Sequence, residues 1–156
     1  MFPNLILSVN AGSSSLKLAL FILVGDRNHL KPEQDPVSLL ATSSVSNIGT
    51  SHAQLSYSLT RSLYPERQSV LPSSVNNHTA AFEFFLQTLF SDQEFTNLAY
   101  ERHNITHVCH RVVHGGDFSD SVIVETNTYE RLQELSDLAP LCVIPLCMSW
   151  PLPIEP

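Results

Sequence analysis

Two aliphatic segments separated by a short polar stretch constrain the fold of this chain more than any other feature. Residues 5–9 read LILSV, residues 16–24 read LKLALFILV, and the stretch between them reads NAGSSS. Short runs of this composition are typical of strands that are buried on both faces. The turn-forming residues between the two runs favour a β-hairpin, so a sheet is predicted to begin here.

Strand and helix patterns follow the predicted hairpin. A helix is predicted to begin at Asn77 or Thr79, because the apolar residues that follow recur at helical spacing. A second helix is predicted to open with a capping box at Asn127 and Glu130 and to run to Leu135. Strands are predicted at 37–48, 53–60, 105–108 and 121–124, with irregular connections at 26–36 and 65–72.

Composition argues against several classes of protein. The 156 residues carry a net charge of −7 with only eight Lys and Arg, and 43% of them are apolar. This is typical of a soluble globular domain with one modest core, and the acidic balance argues against nucleic-acid binding. The three cysteines are sparse and odd in number, which favours a reducing compartment. Residues 16–24 are too few to span a membrane and no signal peptide is expected, so we expect a cytoplasmic protein without membrane contact.

The residues GSSS at positions 12–15, here called the serine loop, have the composition of an anion-binding turn. Gly12 permits a backbone geometry that other residues resist and a close approach to a ligand. Consecutive N–H groups in such a turn can form a nest for an anion, to which the serines add hydroxyl donors and Lys17 adds a positive charge. Asn10 offers an amide oxygen of the kind that Mg²⁺ prefers. The alternative is an ordinary serine-rich hairpin, with Lys17 extending from an apolar strand to solvent.

A second polar cluster lies in the segment THVCHRVVHGGDF, residues 106–118. Its histidines and cysteine suggest zinc, but they follow neither a Cys-x-x-Cys nor a His-Glu-x-x-His pattern. Arg111 is the stronger candidate, because its planar guanidinium can bind a carboxylate or a phosphate through two hydrogen bonds. The pair Gly115-Gly116 would let the backbone turn beside it. The alternative is a structural arginine without a ligand.

Three segments closely resemble signatures of the acetate kinase family. They are VNAGSSSLK at 9–17, HRVVHGG at 110–116 and LAPL at 138–141, and they occur in the family's order and at similar spacing. The resemblance implies an α/β chain: the N-terminal domain of the acetate kinase, hexokinase and actin-like (ribonuclease H-like) phosphotransferase fold, truncated in this sequence. It also implies transfer of the γ-phosphoryl group of ATP to acetate with Mg²⁺, giving acetyl phosphate and ADP.

The resemblance implies a role for each matching residue. The family's catalytic aspartate lies downstream of these segments, so no catalytic residue is expected within this chain. The family's homodimer also forms largely through the downstream part, which makes a dimer doubtful here. The implied roles are Asn10 for Mg²⁺, Ser13, Ser15 and Lys17 for the nucleotide phosphates, Arg111 for the acyl substrate, Val113 and Leu141 for the acetate methyl pocket, and His114 in support of that site.

The resemblance stops at Leu141, where the family continues with His-Asn-Pro and this chain reads CVIP. Residues 1–141 are therefore interpreted as an incomplete acetate kinase-like domain. Residues 142–156 are interpreted as an unrelated apolar tail, whose prolines disfavour any regular element. Two hypotheses remain open: part of an acetate kinase that is inactive by itself, or a non-catalytic fragment with a residual phosphate-binding or interaction role.

We predict that the purified chain binds no stoichiometric zinc through its histidine cluster, because the spacing fits neither structural nor catalytic zinc sites. The cluster consists of His107, Cys109, His110 and His114. Elemental analysis of protein purified without chelator measures the zinc content. One zinc per chain that disappears in the His110→Ala variant would contradict the prediction.

Overall fold

The computed structural model describes residues 4–24, 35–60, 62, 66–112 and 116–134. Among these residues, no helix has the length and apolar character needed to cross a membrane. The strands are β1 (Leu5–Ala11), β2 (Leu16–Leu23), β3 (Val37–Ser46), β4 (Gln54–Leu59), β5 (Arg67–Val70) and β6 (Ile105–His110). The helices are α1 (His78–Ser91), α2 (Gln93–Thr96) and α3 (Thr126–Glu134), with a 3₁₀ turn at Arg102–Asn104.

The strands form one mixed sheet with the order β5-β4-β3-β2-β1-β6. Strands β1 to β5 are an antiparallel meander, and β1 and β2 pair as the predicted hairpin, with Ala11 opposite Leu16. Strand β6 pairs with β1 in parallel. Parallel pairing needs a long crossover connection, which here contains α1 and α2. The α/β fold predicted from the sequence is confirmed.

Side chains alternate along the central strands, and helix α1 packs on one of the two faces. On β1 the fully buried residues include Leu5, Leu7 and Val9. They belong to one hydrophobic core with the buried α1 residues Phe82 and Phe85. The residues between them on β1 are only half-buried. The prediction that the first strands are buried on both faces is therefore wrong, because α1 packs on the face with the fully buried residues and the positions between them stay half-buried.

Helix α1 begins at one of the two predicted caps. The backbone of Asn77 is extended, and its side-chain oxygen accepts a hydrogen bond from the Ala80 N–H at 2.9 Å. This bond satisfies one of the free N–H groups in the first turn. The residue after the helix, Asp92, caps α2 by accepting from the N–H groups of Glu94 and Phe95.

Agreement with the predicted strands is mixed. The strands predicted at 37–48 and 53–60 are confirmed as β3 and β4. The irregular connection predicted at 65–72 contains β5, which pairs with β4. No strand forms at 121–124, where Ile123 is 82% exposed. Apolar β-branched residues form a strand only where a neighbouring strand pairs and packs with them, so that prediction is wrong.

The last described helix begins earlier than its capping box predicts. Helix α3 starts at Thr126, so Asn127 lies in its first turn rather than at its cap. The Asn127 side-chain oxygen instead accepts from the N–H of the next residue at 2.6 Å. Leu132 is buried, as its place in the apolar pattern predicts, while Leu135 lies outside the described residues.

A polar cluster joins strands β4 and β5 to the junction of α1 and α2. The Tyr57 hydroxyl donates to the Asp92 Oδ2 at 2.7 Å, and Arg67 Nε lies 3.1 Å from the same oxygen. Arg67 Nη2 also donates to Glu94 at 2.6 Å, as does the Ser62 hydroxyl at 2.6 Å. The cluster fixes the C-terminal end of α1 against the sheet.

The same contacts shift the pKa values of the cluster. Burial and the hydrogen bond to Asp92 raise the pKa of Tyr57 to about 12. Burial alone would raise the pKa of Asp92, but hydrogen bonds from Tyr57 and backbone N–H groups outweigh it, and the pKa is lowered. Hydrogen bonds from Ser62 and Arg67 lower the pKa of Glu94.

We predict that the free energy of unfolding falls in acid partly through this cluster. Because the pKa values of Asp92 and Glu94 are lowered by folding, their contribution is present above about pH 4 and is lost as the pH falls through the lower, folded-state values. The Asp92→Asn variant should be less stable at pH 7 and lose less stability between pH 5 and pH 3. Urea unfolding at each pH measures both.

The matched control is Asp35→Asn, since Asp35 is an exposed carboxylate two residues before β3 and outside the cluster. Its pH profile should follow that of the unsubstituted protein. Parallel profiles for Asp92→Asn and the unsubstituted protein would refute the assignment of acid sensitivity to the cluster.

Candidate functional site

The serine loop connects β1 to β2 and is held in place by hydrogen bonds from three directions. The Gly12 N–H donates to the Ser15 carbonyl at 2.8 Å and closes the turn. The Ser14 carbonyl accepts from the Ile48 N–H at 3.0 Å, in the connection between β3 and β4. The Gly12 carbonyl lies 2.7 Å from Nε2 of His78, the first residue of α1. The loop therefore has a fixed backbone, while the side chains of its first two serines are exposed.

Gly12 makes a close contact with a serine side chain but has no unusual backbone angle. The glycines with positive φ in the described ranges are Gly49 and Gly116. The expectation that Gly12 has a special backbone geometry is therefore wrong. A Cβ at Gly12 would lie 2.7 Å from the Ser15 Oγ, which is closer than such atoms approach in proteins. The absence of a side chain at Gly12 thus leaves room for the Ser15 hydroxyl.

Three of the predicted site residues lie in one row across neighbouring strands. Asn10 on β1 is directly opposite Lys17 on β2. On the other side, β6 is in register with β1 at Val9 and His110, and the Arg111 N–H continues this ladder by donating to the Val9 carbonyl at 3.1 Å. Side chains alternate between faces of a strand, so Lys17 and Asn10 share the face opposite α1, and continuing this alternation one residue past the end of β6 at His110 assigns Arg111 to the same face. We call these three residues the cross-strand row.

The row concentrates positive charge beside the serine loop. Lys17 and Arg111 are both exposed and Asn10 is half-buried. Lys17 on β2 and Arg111 after β6 lie on either side of β1, so they concentrate positive charge locally in a chain whose net charge is −7. Such a surface can bind an anion with several oxygens, because the ammonium, the guanidinium and the amide each supply hydrogen-bond donors.

The remaining residues of the predicted site are not all described. Val113, His114 and Leu141 lie outside the described residues, as do Gly115 and the tail predicted at 142–156. Gly116 is described, and its φ of 60° lies in the left-handed region that favours glycine. The turn expected after Arg111 is thus observed at Gly116.

The histidines and the cysteine of β6 point to opposite sides of the sheet. His107 and Cys109 are in register with Ile6 and Ser8, on the face opposite α1, whereas His110 is in register with a buried residue of β1. Burial lowers the pKa of His110, and its Nδ1 has no hydrogen-bond partner within the described part of the chain. In those same ranges, no three His, Cys, Asp or Glu side chains converge on a position for a metal ion.

Two contacts of the site are not predicted by any pattern in the sequence. His78 reaches the serine loop from α1, and the Ile48 N–H reaches it from another connection. The apolar periodicity of α1 predicts where the helix packs, but not which residue of its first turn meets the loop. The helix cap at Asn77 is the one signal that could have located this contact, since it fixes where the first turn begins.

Comparisons with known proteins agree on one family. The acetokinase family matches residues 5–145. A probable acetate kinase of Emericella nidulans is 35% identical over 136 residues, which cover 87% of this chain and 29% of that protein. An acetate kinase of Helicobacter hepaticus is 33% identical over 137 residues, which cover 87% of this chain and 30% of that protein. The chain therefore spans about 30% of the length of the curated relatives it matches.

Solved structures give the same result for the fold. The acetate kinase of Porphyromonas gingivalis superposes with a TM-score of 0.63 at 28% identity, over 89% of this chain and 31% of that one. A propionate kinase from Francisella tularensis superposes with a TM-score of 0.61 at 26% identity, over 89% of this chain and 30% of that one. In both comparisons the part that matches this chain is about 30% of the solved chain.

We predict that Gly12→Ala destabilises the chain by about 1 kcal/mol, because the new methyl group overlaps the Ser15 hydroxyl. In a Ser15→Ala background the overlap is absent, and the same substitution should be neutral or stabilising through its effect on the unfolded chain. A double-mutant cycle of unfolding free energies measures the difference. Additive effects of the two substitutions would show that the close contact is not what requires glycine.

Proposed function

The chain belongs to the acetokinase family, and we propose that its protein transfers the γ-phosphoryl group of ATP to the carboxylate of acetate, giving acetyl phosphate and ADP. The observation that carries the proposal is the cross-strand row, which brings a lysine beside the serine loop and an arginine from a distant segment onto one face. The acidic composition and the sparse cysteines fit an enzyme of the cytoplasm.

The proposed roles follow from what phosphoryl transfer requires. Catalysis of this reaction depends mainly on positioning the two reactants and on cations at the transferring group. We assign the nucleotide phosphates to Ser13, Ser15 and Lys17, and the acetate carboxylate to the Arg111 guanidinium. Lys17 and Arg111 are separated by two strand spacings, roughly 10 Å of backbone. Two long side chains at this separation can bracket a phosphoryl group and its acceptor.

Asn10 is the member of the row that offers an oxygen ligand suitable for Mg²⁺. This ion prefers oxygen ligands and usually binds through one or two protein groups together with substrate phosphates, rather than in a cage of protein ligands. Asn10 would hold the ion directly or through a water molecule, next to phosphates bound at the serine loop. When bound, Mg²⁺ would neutralise negative charge on the nucleotide.

The acyl pocket is proposed from the resemblance alone. Val113 and Leu141 would contact the methyl group of acetate, which makes a small apolar pocket beside the arginine. One buried methylene is worth about 1–3 kcal/mol in discrimination, so propionate is expected as a poorer alternative substrate. The resemblance implies that the remaining catalytic groups, including the family's aspartate, lie downstream of the part that this chain matches, which is about 30% of the relatives' length.

A chimera tests the proposal. Residues 1–141 are joined to the C-terminal part of the Porphyromonas gingivalis acetate kinase, and acetyl phosphate is trapped with hydroxylamine. The chimera should phosphorylate acetate. Arg111→Leu should lower kcat/KM for acetate about 100-fold or more, while KM for ATP changes less than about threefold, because the serine loop is intact. Arg111→Lys should also have a low kcat/KM for acetate, since an ammonium cannot replace the planar guanidinium.

The matched control is Arg102→Leu, because Arg102 forms two hydrogen bonds with Glu83 away from the row. It should retain normal kinetic constants. A folded chimera that binds ATP but phosphorylates no short-chain carboxylate would contradict the proposed function. Near-normal acetate turnover by Arg111→Leu would contradict the role of Arg111 alone.

A further inference from the structure

We propose that His78 is a positioning residue for the serine loop: it holds the Gly12 carbonyl and thereby orients the backbone N–H groups that bind phosphate oxygens. The inference rests on the proposed function, since it names how the phosphate contacts are kept in place. The contact is a 2.7 Å approach of the His78 Nε2 to the Gly12 oxygen, across 66 positions of sequence. The signatures that resemble the family do not include His78.

The chemistry of this contact fixes the state of the imidazole. A carbonyl oxygen can only accept a hydrogen bond, so the His78 Nε2 must carry a proton and donate it. An uncharged imidazole can do this only in the tautomer with hydrogen on Nε2. His78 therefore acts as a directional donor, and its effect on the loop needs no positive charge.

The planarity of the peptide bond transmits the contact to the next residue. The carbonyl and the following N–H of one peptide plane point in opposite directions. When His78 holds the Gly12 carbonyl toward α1, the Ser13 N–H is turned away from α1. The Ile48 N–H holds the Ser14 carbonyl in the same manner and so orients the Ser15 N–H. The two outside contacts thus fix the orientation of two amides in a loop whose backbone N–H groups can form a nest for phosphate.

The contact can hold the loop in one geometry because α1 is rigid. His78 is the first residue of the helix, directly after the Asn77 cap. Further along the helix, Phe82, Phe85 and Leu86 are each 1% exposed within the core shared with the sheet. A donor mounted on such an element cannot follow the loop if the loop shifts, so it holds the loop backbone in one geometry before ligand arrives.

The test compares donors of different reach in the 156-residue chain. Glutamine places an amide nitrogen near the position of the histidine Nε2, asparagine carries the same amide one bond shorter, and leucine has no donor. The probe is inorganic tripolyphosphate, titrated against ¹⁵N-labelled protein while the amide signals of Ser13 and Ser15 are followed by NMR. His78→Leu and His78→Asn should weaken binding about tenfold. His78→Gln should stay within about threefold of the unsubstituted chain.

The control is His52→Leu, because His52 lies exposed in the connection between β3 and β4. It should leave tripolyphosphate binding unchanged. The Ser13 amide shift of the free protein should move in the leucine and asparagine variants and return in the glutamine variant, which a general loss of stability would not produce. If His78→Leu does not fold, the comparison of His78→Gln with His78→Asn still tests the role of His78.

Each outcome separates this inference from the proposed function. Equal tripolyphosphate affinity in the unsubstituted, leucine, asparagine and glutamine proteins would overturn the role of His78 and leave the proposed function standing. Equal weakening by glutamine and leucine would also overturn it, because the donor would then be irrelevant. No binding by the unsubstituted chain would contradict the phosphate site itself, and the role of His78 with it.

Discussion

The packing of helix α1 against one face of the sheet is the interaction on which the other features depend. It uses the apolar side chains that alternate along β1 and β2, such as Leu7 and Leu18, and leaves the intervening positions to the opposite face. Asn10 and Lys17 are among those intervening positions. The same helix directs its first residue at the serine loop. One packed layer therefore determines both which face carries Asn10 and Lys17 and how the serine loop is held.

Much of this arrangement could be predicted from the sequence where the signal is local. The hairpin, the cap at Asn77 and the family resemblance depend on neighbouring residues or long continuous segments, and all three are confirmed. Strand β5 was missed because its four residues, Arg67–Val70, have a weak pattern and form a strand only by pairing with β4. The apolar segment at 121–124 shows the converse, a strong local pattern without a partner strand in the described sheet.

The candidate site was predicted residue by residue, but not its geometry. Asn10, Lys17 and Arg111 each follow from chemistry and resemblance, whereas their common row follows from the register of three strands, which no local pattern encodes. The reason for Gly12 was likewise hidden, because a 2.7 Å approach to the Ser15 hydroxyl is a property of the folded turn. Contacts between distant segments, such as that of His78 with Gly12, are set by tertiary packing and produce no periodic pattern in the sequence.

The two cations of the cross-strand row, Lys17 and Arg111, differ in how much chain must be ordered to bring each of them beside Asn10. The turn at residues 12–15 closes locally, whereas β6 meets β1 across 101 positions, at Thr106 and Leu5. Closing the longer segment costs about 3 kcal/mol more in chain entropy, by the logarithmic dependence on loop length. Strand β6 also lies at the edge of the described sheet. We therefore expect β6, which carries Arg111, to open more readily than β1, and hydrogen exchange that is no faster in β6 than in β1 would exclude this ranking.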